Sequence, residues 1–153
     1  LRKSGKNSTI SADLLKVENF ISFKDSIRIN SFMNSDFIGS YSKLFLNEVS
    51  GSSVINCKTS GMVKVDNYSS VFSELKLKGK YSIFEINLPD RPYFFQSNIS
   101  NSRIIAPDIF SSDIKPDANF NNLFKTAGNK DAQSIIRIDC NNCDIELKET
   151  VVN

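Results

Sequence analysis

From about residue 10 to residue 88 one short unit keeps returning: a run that alternates apolar and polar residues, a corner of Gly, Ser or Asn, then another run. Ile27-Arg28-Ile29 gives way to Asn30-Ser31, and Leu44-Phe45-Leu46 to Asn47 and then Ser50-Gly51-Ser52. Ser53-Val54-Ile55-Asn56 leads to Ser60-Gly61, and Met62-Val63-Lys64-Val65 to Asp66-Asn67. Leu75-Lys76-Leu77-Lys78 stops at Gly79, and Tyr81 to Leu88 stops at Pro89. Runs starting roughly 8–12 residues apart are the spacing of an all-β protein. Alanine is scarce while Ile and Phe are plentiful, which disfavours helix and favours strand.

Alternation assigns the faces. Leu44, Leu46, Val54, Val63, Val65, Leu75, Leu77, Phe84, Ile86 and Leu88 are expected inside, with Lys64, Lys76 and Lys78 toward water. Ile136, Ile138, Ile145 and Leu147 are expected inside in the same way, with Arg137, Asp139, Asp144 and Glu146 outside. Strands of about 3–6 residues with frequent corners suit a β-solenoid, in which each coil buries an apolar stripe against the next. Asn and Ser suit such corners because they tolerate left-handed backbone and bond to nearby peptide groups. The expected fold is therefore a single-domain right-handed β-solenoid, or β-helix. An antiparallel β-sandwich is the alternative, although sandwich strands usually run longer and the immunoglobulin pattern wants a core Trp, which is absent. Residues 1–9 read as a solvated arm with basic residues that could meet a membrane surface, and residues 10–153 as one domain.

After Pro89 the regularity breaks. Phe95 to Ile99 is one more candidate strand, residues 106–134 read as an irregular loop with a helical turn at 121–127, and two final runs span 134–139 and 144–151. Loops this long in compact domains are uncommon and are usually functional or mobile.

The stretch Ser35-Asp36-Phe37-Ile38-Gly39-Ser40-Tyr41-Ser42-Lys43-Leu44-Phe45-Leu46 resembles the repeats of adhesin-type β-solenoid domains, secreted or envelope proteins of Gram-negative bacteria. Residues 77–89 are similar to their last regular coil. Asn142-Cys143-Asp144-Ile145-Glu146-Leu147 is similar to their closing Asn-Gly-Asp-Ile-x-Leu strand, with Cys143 where that pattern has glycine. The resemblance covers roughly residues 10–100 and 134–150. It implies a right-handed β-helix, export to the cell envelope and no catalytic motif.

The missing residue type limits the chemistry. With no histidine, Ser-His-Asp and Cys-His nucleophile systems, histidine bases and His-containing metal sites are all excluded. A net charge of +2 argues against a dedicated nucleic-acid protein. No apolar run approaches the ~18–20 residues of a membrane helix. The chain opens at Leu1 rather than Met, as a mature or truncated product would. Ser40-Tyr41-Ser42-Lys43 and Ser73-Glu74-Leu75-Lys76 match S-x-x-K, but on a strand residues three apart point to opposite faces. Three N-x-S/T sequons, at Asn7, Asn67 and Asn98, are expected by chance in a chain so rich in Asn and Ser. Carboxylates are the remaining acid/base groups: Asp108, Asp113, Asp117 and Asp131 in the loop, and Asp139, Asp144 and Glu146 near the last corner. Their spacing matches no EF-hand, and nothing in the sequence pairs two of them across a cleft.

Cys140-Asn141-Asn142-Cys143 is formally C-x-x-C, yet its flanks alternate like strands and carry Asp139 and Asp144, which would raise a thiol pKa. Structural corner cysteines or a local disulfide are expected there, with a metal shared with another chain and a redox role as the other readings. Cys57 is expected to be a small buried filler. Lys64, Lys76, Lys78 and Lys80 lie on successive runs and form a candidate basic stripe. Tyr93-Phe94-Phe95 is either an exposed aromatic platform or the cover of an open core end. The expected function is a non-catalytic extracytoplasmic binding or scaffolding module, adhesin-like or an accessory subunit of an envelope complex. It would use no cofactor, and its partner would be a protein, an envelope component or a glycan. The alternative is a small carbohydrate-active enzyme using the loop carboxylates.

Overall fold

The computed structural model of the chain describes residues 7–107 and 122–150. Strands form where apolar and polar residues alternate, because a pleated strand sends successive side chains to opposite faces. Fourteen strands result among the described residues: β1 (Thr9–Leu15), β2 (Phe20–Phe23), β3 (Ser26–Met33), β4 (Asp36–Ser40), β5 (Lys43–Ser50), β6 (Ser52–Thr59), β7 (Met62–Tyr68), β8 (Glu74–Lys80), β9 (Ile83–Asn87), β10 (Phe94–Ser100), β11 (Arg103–Ile105), β12 (Asn122–Gly128), β13 (Ile135–Asn141) and β14 (Asp144–Lys148). No helix occurs among the described residues.

Consecutive strands from β1 to β12 alternate between two seven-stranded sheets, and β13 joins the same sheet as β12. One has the order β1-β3-β5-β7-β9-β14-β11, the other β12-β10-β13-β8-β6-β4-β2. Neither closes on itself, and every ladder from residue 36 to residue 87 is parallel. Parallel neighbours overturn the antiparallel sandwich; among the described residues only β10 and β12 pair antiparallel.

Register lines like residues up in rows. Ile27, Leu44, Val63, Phe84, Ile145 and Ile104 form one inward row of the first sheet. Phe20, Phe37, Ile55, Leu77 and Ile138 form one of the second. Both inner faces belong to one apolar core. Val54 is the exception to the expected pattern: Ser53, Ile55 and Cys57 point inward, so Val54 turns outward between Asp36 and Lys76.

One corner of the chain recurs seven times among the described residues. A residue with φ between 47° and 58° (Asn7, Lys24, Tyr41, Ser60, Tyr81, Asn101 or Asn142) is followed by Ser8, Asp25, Ser42, Gly61, Ser82, Ser102 or Cys143. The ladder runs on through these corners: Tyr41 N–H donates to the Thr59 carbonyl and Ser60 N–H to that of Lys80. Serine hydroxyls stitch one corner to the next. Ser82 Oγ accepts from Gly61 N–H at 3.2 Å, and Ser102 Oγ from Cys143 N–H at 2.9 Å. Ser42 Oγ meets Ser22 Oγ at 2.9 Å and accepts from Asp25 N–H at 3.3 Å. The buried Asp25 carboxylate accepts from Ser22 Oγ at 2.8 Å and Ser8 N–H at 3.0 Å. Serine thus serves these corners through its hydroxyl, one place after the left-handed residue.

Sequence order and spatial order part company after β9. The last pair, β13 and β14, lies between β8–β9 and β10–β11. β13 pairs with β8 on one side and β10 on the other, while β14 pairs with β9 and β11. Of the helical turn expected at 121–127, residues 122–127 belong instead to β12, because the free edge of β10 supplies a ladder for them, and residue 121 lies outside the described residues. β12 ends at Gly128 (φ 82°), where any Cβ would collide with the Tyr93 carbonyl. The first strand starts at Thr9, inside the arm expected over 1–9, and residues 1–6 lie outside the described residues.

Candidate binding surface

Inward side chains fill the space between the sheets, so the surface has to carry any recognition. The expected basic stripe is not one feature. Lys76, Lys78 and Lys80 point outward from β8, whereas Lys64 sits on β7 in the other sheet, because consecutive strands alternate between sheets. Lys64 pairs with Asp66 at 3.5 Å. Lys76 and Lys78 stand in register with Arg137 and Asp139, and Arg137 pairs with Glu74 at 3.1 Å. Lys64 is thus neutralised by a neighbour, while Lys76 and Lys78 make no ion pair among the described residues. Tyr93 is half-buried against the core, where burial and then the charge of Glu149 push its phenol up. Phe95 is fully buried and Phe94 partly so.

The candidate carboxylates do not converge. Asp139 is on β13 in one sheet; Asp144 and Glu146 are on β14 in the other. Asp144 pairs with Arg103 at 3.1 Å and Glu146 with Lys148 at 3.2 Å. Asp131 is exposed, while Asp108, Asp113 and Asp117 lie outside the described residues. Among the described residues no group of three or more His, Cys, Asp or Glu could hold a metal ion, and no helix is long and apolar enough to cross a membrane.

Cys140 and Cys143 form a disulfide across the corner of the inserted pair, with Cα atoms 6.1 Å apart and both residues buried. Cys57 is a free, buried thiol whose burial pushes its pKa up to about 12. Its sulfur occupies the space a Cβ on Gly61 would need, so this corner is filled from the strand instead of by a disulfide.

The repeated corner carries the surface that composition and run-by-run reading passed over. Phe23, Tyr41 and Tyr81 are 44%, 52% and 55% exposed. Tyr41 meets Phe23 edge-on with centroids 5.8 Å apart, the Lys24 amine lies 5.1 Å from the Phe23 centroid, and Lys80 lies 5.6 Å from that of Tyr81. Lys24, Lys43, Lys58 and Lys80 are exposed within two residues of the left-handed positions, and none makes an ion pair among the described residues. A shallow recess beside Tyr41 is lined by Lys24, Ser26 and Lys43. The sequence does hold a signal for this edge: Lys-Asp, Tyr-Ser, Ser-Gly, Tyr-Ser, Asn-Ser and Asn-Cys recur between runs, one pair per corner.

No protein-family model matches this chain, and neither a curated protein nor a solved structure matches it.

Proposed function

We propose that the chain is a right-handed β-solenoid domain of the adhesin type, working as a non-catalytic extracytoplasmic binding or scaffolding module. The observation that carries this reading is the pairing rule: each strand from β1 to β7 lies parallel to the strand two places on, with inward rows filling the interior. Such an architecture leaves flat outer faces and long edges for extended ligands or protein surfaces. The dispersal of the described carboxylates, with Asp144 and Glu146 held in ion pairs, supports binding over catalysis. The Cys140–Cys143 disulfide supports an oxidising compartment, since such bonds are rare in the cytosol. The partner is a protein or glycan component of the cell envelope, alone or within a larger complex.

Cell fractionation combined with a native pull-down and turnover assays on a glycan panel tests the proposal. Recovery in the periplasm, outer membrane or medium with a bound partner and no turnover is the expected outcome. Turnover abolished by alanine at Asp108, Asp113 and Asp117 would replace it with the carbohydrate-active enzyme.

A further inference from the structure

We propose that the corner running from Lys24 to Tyr81 binds an extended acidic polysaccharide, sugar-ring faces resting on Tyr41 and Tyr81 and carboxylates or sulfates meeting Lys24, Lys43, Lys58 and Lys80. The proposal rests on the reading of the chain as a binding module and names its ligand class.

Backbone conformation is the first observation. Tyr41 and Tyr81 have φ of 56° and 54°. A bulky residue there is a costly outlier, and Asn or Gly is the residue that fits. The same corner elsewhere uses Asn7, Asn101 and Asn142, so the chain has the cheaper solution and departs from it at four places, Lys24, Tyr41, Ser60 and Tyr81, of which the two tyrosines are the bulkiest. Neither ring recovers the cost by burial, since both are about half exposed. Strain of this kind concentrates at functional positions.

Charge is the second. Four exposed lysines line this one edge without an ion pair among the described residues, whereas Lys64, Arg103, Arg137 and Lys148 are each held by a carboxylate. The acid beside them, Asp25, is buried and held by Ser22 and Ser8. The edge therefore complements a polyanion.

Spacing is the third. The Ser60 corner separates the two tyrosines, so they are two strand spacings apart, roughly 9.5 Å. Two linked pyranoses cover about that length, so alternate sugars of one straight chain reach both rings. Tyrosine offers a flat apolar face with a polar rim, which suits a ring that is apolar on its C–H face and polar at its edge.

Titration calorimetry of the full chain with polygalacturonate oligomers, against neutral dextran and oligo-dT, tests this. Binding to polygalacturonate that weakens with salt, and none to dextran, is expected. Y41N/Y81N keeps the left-handed backbone, so its fold is maintained, and should weaken binding about tenfold or more. K24E/K43E/K58E/K80E should abolish it, while K64E/K76E/K78E should leave it unchanged. Unchanged affinity in Y41N/Y81N, equal binding of dextran, or tighter binding of oligo-dT overturns the proposal. If polygalacturonate does not bind but a protein partner does, the ligand class fails and the binding module stands. Cleavage of polygalacturonate overturns both.

Discussion

Residues 9–87 and residues 94–148 build the same two sheets by different routes. In the first stretch each new strand is laid against the one two places earlier, and sequence order is spatial order. In the second, β10 and β11 take outer places and β13 and β14 fill the position between them and β8–β9. Polar satisfaction varies within both stretches, since Tyr68 and Ser69 in the first also have buried oxygens without a hydrogen-bond partner among the described residues. Ser42, in the first stretch, bonds Ser22, the Asp25 N–H and the Ser40 carbonyl, whereas the buried Ser97 hydroxyl of β10 has no partner. Parallel stacking can therefore be extended by accretion or completed from within.

Deletion of the end pairs gives the sharpest test. Removing residues 134–150 takes away Ile136, Ile138, Ile145 and Leu147, all buried. At roughly 1.5–3 kcal/mol each the loss is about 6–12 kcal/mol, comparable to the whole stability of an ordinary domain. No cooperative melt by circular dichroism is expected. Removing residues 1–23 takes away one fully buried large residue, Phe20, and should leave a cooperative though lower melt. Equal effects would erase the distinction between the two routes.

Next in size is the disulfide. Its loop is short, so the chain-entropy contribution is on the order of 2 kcal/mol. Reduction, or C140S/C143S, should lower the denaturation midpoint by that amount without dissolving the fold. The serines should then move in opposite directions. Ser42→Ala strands the Asp25 N–H and should cost ~1–3 kcal/mol, whereas Ser97→Ala removes an unpaired hydroxyl and should gain about 1 kcal/mol. Chemical denaturation of both variants checks the two signs.

Near neutrality the smallest effect is that of pH. Burial raises Cys57 to about 12 and also raises Tyr68. Above the unfolded thiol pKa, the unfolded chain releases a proton that the folded chain retains. Stability should therefore be flat below about pH 8 and fall above it, by no more than ~1.4 kcal/mol per pH unit for each group. Cys57→Ala should remove the thiol's share and leave that of Tyr68.

Inward rows were legible wherever two apolar residues flank a lysine, as in Val63-Lys64-Val65 or Leu75-Lys76-Leu77, because the strand period is local. Ser53-Val54-Ile55-Asn56-Cys57 misleads: two apolar residues stand side by side, and the pairing of Ile55 with Phe37 and Leu77 decides between them. Which sheet a run joins is not written in its alternation, so Lys64 could not be separated from Lys76. The inserted pair depends on contacts between residues 74–80 and 135–141, beyond any local pattern. As for the aromatic corner, Tyr41 and Tyr81 read as ordinary residues until the backbone shows both in the left-handed region.

The inserted pair also sets an order of events. A chain synthesised or threaded from its N-terminus delivers β10 and β11 before β13 and β14 exist. The slot beside β8 and β9 must then stay vacant or be reopened before the last two strands can enter. Vectorial growth, which would serve residues 9–87, cannot complete this molecule. The final step joins segments some sixty residues apart, β8 to β13 and β9 to β14. Contacts of that separation close late and slowly, so the seam of the molecule, not its ends, is the part that finishes folding last.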